Sequence, residues 1–385
     1  MCTVETVKSE QCVGCGACAQ VCPKSAITMH PDDDGFLHPA VNTAQCVRCG
    51  ICVEVCPVIS GIKADNNPIA YAAKCNNDAI RLTSSSGGIF TLLAEKVIEQ
   101  GGVVFGAAMD RDLSVVHIAV NTKEELSKLR GSKYVQSRIG DTYKQAREFL
   151  NQGKTVYFSG TPCQIEGLLK FLRKPYENLI TQDVVCHGVP SPLVWDRYVK
   201  RQEEKHHSAI KQVDFRCKQF GWREYRVRLY FQGGASFSQR KNKDPFMRCF
   251  LSDLCLRPSC YDCLFKKQDK ASDFTLADFW GIQNYLPQMD DNRGISLVVC
   301  NTPKAQALFE QIKHSICFEE VCLQDVAQHN TAMYQSVPRP TARETFMEQI
   351  KNQPFERVVD KFCKVPSMPE RNLRKLSRMI KSIIK

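Results

Sequence analysis

Two stretches near the start of the chain are built to bind iron. "CVGCGACAQVCP" sets Cys12, Cys15, Cys18 and Cys22 before Pro23, and "CVRCGICVEVCP" sets Cys46, Cys49, Cys52 and Cys56 before Pro57. Thiolates spaced by two residues wrap one face of an iron–sulfur cubane. Small residues such as Gly16, Ala17 and Gly50 let the backbone approach the sulfides. In this bacterial ferredoxin run the fourth cysteine reaches the other cluster. The spacing therefore predicts one [4Fe-4S] cluster on Cys12, Cys15, Cys18 and Cys56, and a second on Cys46, Cys49, Cys52 and Cys22. Between the runs, "AITMHPDDDGFLHPAVN" alternates around Asp33, Asp34 and Gly35 as a hairpin would. Such a module conducts electrons and has no substrate pocket of its own.

A third pattern lies far downstream, where "RPSCYDCLFKK" places Cys260 and Cys263 two residues apart. The pair is compatible with a zinc knuckle, a thiol redox switch or half of a further cluster. A zinc site would want a second knuckle nearby, and a redox pair belongs between a strand and a helix of a βαβ unit. Neither context is evident. Candidate partners are Cys163 in "FSGTPCQIEGL" and Cys186 in "VVCHGVPSP", with Cys255 in reserve. Each of the first two follows a strand pattern. A right-handed crossover between those strands makes their carboxyl ends neighbours, at the place where open α/β sheets bind ligands. His187 adjoins a candidate ligand and could move protons or donate a hydrogen bond to a cluster. Cys2, Cys75, Cys217, Cys249, Cys300, Cys317, Cys322 and Cys363 follow no ligand spacing and read as small apolar residues.

The elements that must position these thiols are legible from about residue 76, where helix and strand patterns alternate. "SSSGGIFTLLAEKVIEQGG" reads as an amphipathic helix, with Ser84 to Gly88 at its start as an anion site or a plain cap. "VVFGAAM" reads as a buried strand. "TVYFSG" is a strand that turns through Thr161, and Pro162 opens the next helix. His206 and His207, in "KRQEEKHH", read as a solvated helix end.

At 385 residues the chain is too long for a single ordinary core. No apolar run reaches bilayer length and no secretory signal is evident, so a cytoplasmic location is expected. There thiols stay reduced, and metal ligation explains 21 cysteines better than disulfides do. The formal charge of +11 is weak grounds for a nucleic-acid partner, because each four-thiolate cluster brings roughly −2 of its own.

"SGGIFTLLAEKVIEQGGVVFGAAMD", "LRGSKYVQS", "FSGTPCQIEGL", "VVCHGVPSP" and "CYDCLFK…ASDFTLADFWGI" occur in that order between about residues 70 and 300. Together they resemble the beta-subunit family of coenzyme F420 hydrogenases and dehydrogenases. Ala277 departs from the glycine expected of many relatives. The resemblance implies a bound FAD beside a third [4Fe-4S] cluster on Cys163, Cys186, Cys260 and Cys263. It implies FAD contacts from Ser86, Gly87 and Gly88 on the phosphate side. Lys133 and the loop Ser159, Gly160, Thr161, Pro162 and Gln164 would lie near the isoalloxazine. Lys133 and His187 are the candidate catalytic residues. Electrons would run from ferredoxin-type clusters through the third cluster to FAD, then to coenzyme F420 or another small-molecule acceptor. The alternative is an electron-relay subunit feeding a separate catalytic partner. A ferredoxin or another redox protein is the expected partner.

The expected fold is mixed: a small ferredoxin-like 2[4Fe-4S] module (1–62), a linker (63–75), an α/β flavin-binding and iron–sulfur domain (76–320), and a helical C-terminal extension (321–385). The last stretch, "ERNLRKLSRMIKSIIK", reads as a basic amphipathic helix able to touch a membrane surface or a partner.

Overall fold

The computed structural model describes residues 3–364; the expected basic helix at the end of the chain lies outside them. In the first sixty residues, β1 (Ile27–Pro31) and β2 (Leu37–Val41) pair antiparallel, with Ile27 opposite Val41. This is the expected hairpin. Two short helices, Ala17–Val21 and Ile51–Glu54, each begin at a glycine in the left-handed region, Gly16 and Gly50. Val4, Ile27 and the inward cysteines Cys18, Cys52 and Cys56 form a small core between them.

An eight-stranded mixed sheet forms the body. Its strands are β3 (Ile69–Cys75), β4 (Val103–Met109), β5 (Val115–Val120), β6 (Val156–Gly160), β7 (Leu179–Val184), β11 (Phe274–Asp278), β12 (Ser296–Cys300) and β13 (Ile316–Val321). Their spatial order is β13-β3-β12-β11-β7-β6-β4-β5. The central neighbours β4, β6, β7 and β11 run parallel, and both flanks are antiparallel. Helices cover both faces of these strands, so most of their residues are buried, polar Thr181, Gln182 and Asp183 of β7 among them. On one face, Leu92, Leu93 and Val97 of the Ile89–Glu99 helix pack with Tyr71, Tyr157 and Phe309. On the other, Ile165, Leu168 and Phe171 of the Pro162–Leu172 helix meet Phe105, Phe158 and Tyr143.

Residues 63–75 are not all linker. From Ile69 onward they form β3, paired on both sides by β12 and β13. The expectation failed because "AYAA" is rich in alanine, a weak strand former, and sits behind an Asn-Pro stretch. Burial between two neighbours overrides that weak preference.

A second layer is the sheet of β8 (Ile210–Cys217), β9 (Arg226–Phe231) and β10 (Ser236–Arg240), ordered β10-β9-β8. Trp195, Tyr198, Phe246, Phe346 and Val358, from four helices, pack on it. The Arg343–Asn352 and Phe355–Phe362 helices thus belong to this core rather than standing apart. His207 ends the Pro192–His206 helix in the left-handed conformation, while His206 leans on Phe231 and Phe237.

Candidate functional site

The cysteine module does not hang free. Val13, Cys15, Ala17 and Val55 share one core with the Pro162–Leu172 helix and the sheet. One close approach is at Gly167, where a side chain's Cβ would stand 2.9 Å from Cys15 Cβ, 3.0 Å from its Sγ and 3.1 Å from Tyr143 Oη. Only glycine permits that contact. Gly167 is four residues beyond Cys163 on one helix, a rise of roughly 6 Å. Polar anchors fix the pose. Gln20 Oε1 accepts from the backbone N–H groups of Tyr143 and Lys144, and buried Glu166 takes Ile62 N–H at 3.1 Å and the Lys267 ammonium at 2.6 Å. Arg257, 1% exposed, donates to the carbonyls of Cys12 (2.7 Å) and Leu37 (2.9 Å) and to Gln136 Oε1 (2.8 Å).

Cys163, Cys186, Cys260 and Cys263 all line one cavity of about 610 Å³. They arrive from three elements. Cys163 opens the Pro162–Leu172 helix behind the Thr161–Gln164 capping box, in which Thr161 Oγ1 lies 3.2 Å from Cys163 Sγ. Cys186 follows β7, and Cys260 ends the turn Pro258–Cys260. Each thiol feels its companions: Cys163 feels Cys263 and Cys186, Cys186 feels Cys260 and Cys263, and Cys260 feels Cys163 and Cys263. Burial first, then that mutual repulsion, pushes Cys163 and Cys186 up to about 12, so metal would have to displace protons. Cys255 is elsewhere, fully buried in the small-sheet core beside Cys363. Among the described residues no three His, Cys, Asp or Glu side chains converge on one ion.

The expected flavin contacts divide. Ser84, Ser85, Ser86 and Gly88 line the cavity, as do Ser159, Gly160, Thr161, Pro162 and Gln164. Gly87 does not. A Cβ there would sit 2.4 Å from the Ala73 carbonyl oxygen, and its N–H donates to Ser296 Oγ at 3.0 Å. It lets the serine turn lie against β3 and β12. Lys133 is at the wall, but its ammonium donates to the carbonyls of Lys128 (3.0 Å) and Arg130 (2.9 Å), and burial pulls it down to about 7. His187 lines the cavity with Nε2 2.6 Å from Asp253 Oδ1, while Lys266 donates to its carbonyl.

Sequence reasoning missed His117, Arg216, Arg257 and Asn330, all in the cavity wall. His117 stacks on Phe158, contacts Ser137 through Nδ1 and donates from Nε2 to the Ser159 carbonyl at 3.0 Å. Burial, aided by the charge of Lys133, pulls it down to about 4, so it stays neutral. No motif signals any of the four; the partners of His117, Arg216 and Arg257 lie far off in sequence.

The residues present suit the groups the resemblance implies. The module supplies eight thiols at ferredoxin spacing and the cavity wall four more, the donor type and number that cubanes use. The cavity has the volume of a cofactor site. It offers hydroxyls at Ser84, Ser85 and Ser132, and a buried Arg216 whose Nε and Nη2 find no partner, as an anionic ligand would require.

Fold and cysteine pattern together define an iron–sulfur electron-transfer protein: residues 11–59 match the 4Fe-4S dicluster domain. Residues 70–142 match the N-terminal model of the coenzyme F420 hydrogenase/dehydrogenase beta subunit, and residues 153–325 match its C-terminal model. The chain belongs to that family, whose members serve hydrogenase and dehydrogenase oxidoreductase complexes. One similar solved structure is a chain of the F420-reducing [NiFe] hydrogenase complex from Methanosarcina barkeri. It is 15% identical, with a TM-score of 0.49, over 76% of this chain and 96% of that one. No curated protein matches. Among the described residues, no helix is long and apolar enough to cross a membrane.

Proposed function

We propose that this chain is an iron–sulfur flavoprotein oxidoreductase that exchanges electrons with an organic acceptor, coenzyme F420 or another. Cys46, Cys49, Cys52 and Cys22 hold an outer cluster, Cys12, Cys15, Cys18 and Cys56 an inner one, and Cys163, Cys186, Cys260 and Cys263 a third. FAD lies in the cavity against Ser84–Ser86 and the Ser159–Gln164 loop. When bound, the clusters carry single electrons and the flavin exchanges them in pairs.

The observation that carries this reading is the meeting of four thiols from three separate elements in the wall of one cavity, about one helical turn from the packing site of Cys15. The chain's own residues do the rest. Gly167 sets the spacing between inner and third clusters. His117, neutral and hydrogen-bonded at both nitrogens, fixes the Ser159 carbonyl. His187, oriented by Asp253, is placed to pass a proton into the cavity. At the outer end Cys49 is exposed beside Val47, itself 59% exposed, which suits an approaching redox protein.

Protein purified without oxygen should contain roughly twelve irons per chain for three cubanes, against eight for two, together with one flavin. Eight irons and no flavin would sink the reading. A relay subunit shares the wire and differs in turnover. The enzyme alone reduces a physiological small acceptor such as F420, whereas a relay reduces only artificial dyes.

A further inference from the structure

Arg216 lies at the end of β8 and is 6% exposed, yet it forms part of the cavity wall. One edge of its guanidinium is spoken for: Nη1 bonds Asp278 Oδ2. The other Asp278 oxygen accepts from Trp222 Nε1 at 3.0 Å, so the carboxylate is held from both sides. The flat faces are taken as well, with the Tyr225 ring centroid at 4.4 Å and that of Trp280 at 5.6 Å. What remains is the edge formed by Nε and Nη2, and neither nitrogen has a protein acceptor. Those two N–H groups point the same way and match two oxygens of a carboxylate or phosphate. A buried guanidinium edge left unpaired is costly.

Arg216 and the serine turn line the same cavity. Lys218, two residues on, donates to the carbonyls of Ser86 (2.9 Å), Arg81 and Arg293 (2.7 Å). It ties the end of β8 to that turn and spends its three N–H groups doing so. A second wall residue, Asn330, also has an unpaired buried donor, Nδ2. Its neighbour His329 packs on Gly281, the residue after Trp280.

We infer that Arg216 is the anchor for an oxyanion, a phosphate or carboxylate borne by the molecule in the cavity. This rests on the reading of that cavity as a flavin and acceptor site. Two sources share the chemistry: the pyrophosphate of FAD and an acidic substituent of the acceptor.

The test uses the full chain with its clusters, as wild type, R216K and R216M, each checked for iron content. R216K keeps a cation for Asp278 and loses the two-pronged edge, so it guards against misfolding in R216M. Affinities for FAD and for riboflavin, which lacks phosphate, are measured by fluorescence, along with KM for an acidic and a neutral acceptor. If FAD supplies the anion, both variants bind FAD roughly ten- to a hundredfold more weakly and riboflavin unchanged. If the acceptor supplies it, FAD binding holds and KM rises by a similar factor for the acidic acceptor alone. Inorganic pyrophosphate gives a readout independent of flavin: it should raise the Tm of wild type and not of R216K. A wild type that responds to pyrophosphate but binds no flavin sinks the flavin reading and leaves the anchor standing. Equal responses of wild type and R216K in every assay overturn the anchor.

Discussion

The thiols of the module and the thiols of the cavity reach their places by opposite routes. The eight in the module lie within 45 residues, on and around two short helices whose glycine starts set the local turns. The four in the cavity come from an interval of 101 residues and meet only once β6 and β7 pair and the Arg257–Cys263 segment folds over them. Local spacing suffices for the first set. The second set needs the whole sheet, so damage to the sheet should separate the two. Closing long loops is also slow, so the cavity site should form after the module.

The largest effect expected is on metal content. Cys260→Ala should remove about four of roughly twelve irons and leave the spectroscopic signature of the module unchanged. Cys255→Ala should keep them all, because Cys255 sits in the small-sheet core. If the Cys255 variant loses iron and the Cys260 variant does not, the ligand set is wrong. The mirror experiment, Cys49→Ala, should spare the cavity cluster.

Gly167→Val should come next, since it strikes the contact that joins the two regions. A Cβ alone would meet Cys15 within 3.0 Å, and overpacking of this kind typically costs about 1–3 kcal/mol. Electron transfer from module to cavity should slow while both regions keep their iron. Unchanged transfer would show that the module reaches the cavity by another contact.

Arg257→Met should follow. It removes the hydrogen bonds of a guanidinium that clamps Cys12, Leu37 and His38 to Gln136. Bonds to a charged donor are worth about 1.5–3 kcal/mol each, and part of this returns as apolar packing. Limited proteolysis between residues 60 and 68 should accelerate, with Arg257→Lys intermediate. Equal cleavage rates would mean that the Gly167 contact and Glu166 hold the module without Arg257.

The contrast also explains what could be read from sequence. The module was legible because its ligands, its hairpin and its glycine turns are neighbours along the chain. Cys163 and Cys186 were placed correctly at neighbouring strand ends, since a strand, Pro162 and a helix form a local signal. Arg257 was not legible: its partner Cys12 is 245 residues away, and nothing in "CLRPSC" marks an arginine as buried. Arg216 hid for the same reason, inside an ordinary strand pattern. Gly87 misled because a Ser-Gly-Gly turn looks the same whether its glycine faces a ligand or a neighbouring strand. Here the strand takes it. β3 was lost to its alanines.

The smallest effect expected is a pH dependence confined to the cavity side. Burial holds the Lys133 ammonium down at about 7, against an ordinary value near 10.4 in an unfolded chain. Between those values the unfolded chain binds more protons than the folded one, so stability should rise with pH across that window. Lys133→Met has no such proton to lose, and its Tm should lack that component of the rise. The measurement is the difference in Tm between wild type and variant from pH 6 to pH 10, at constant salt. A gap that stays constant across the range would mean that the bonds to the Lys128 and Arg130 carbonyls keep Lys133 charged throughout. The wall beside the serine turn would then present a permanent cation to any bound anion.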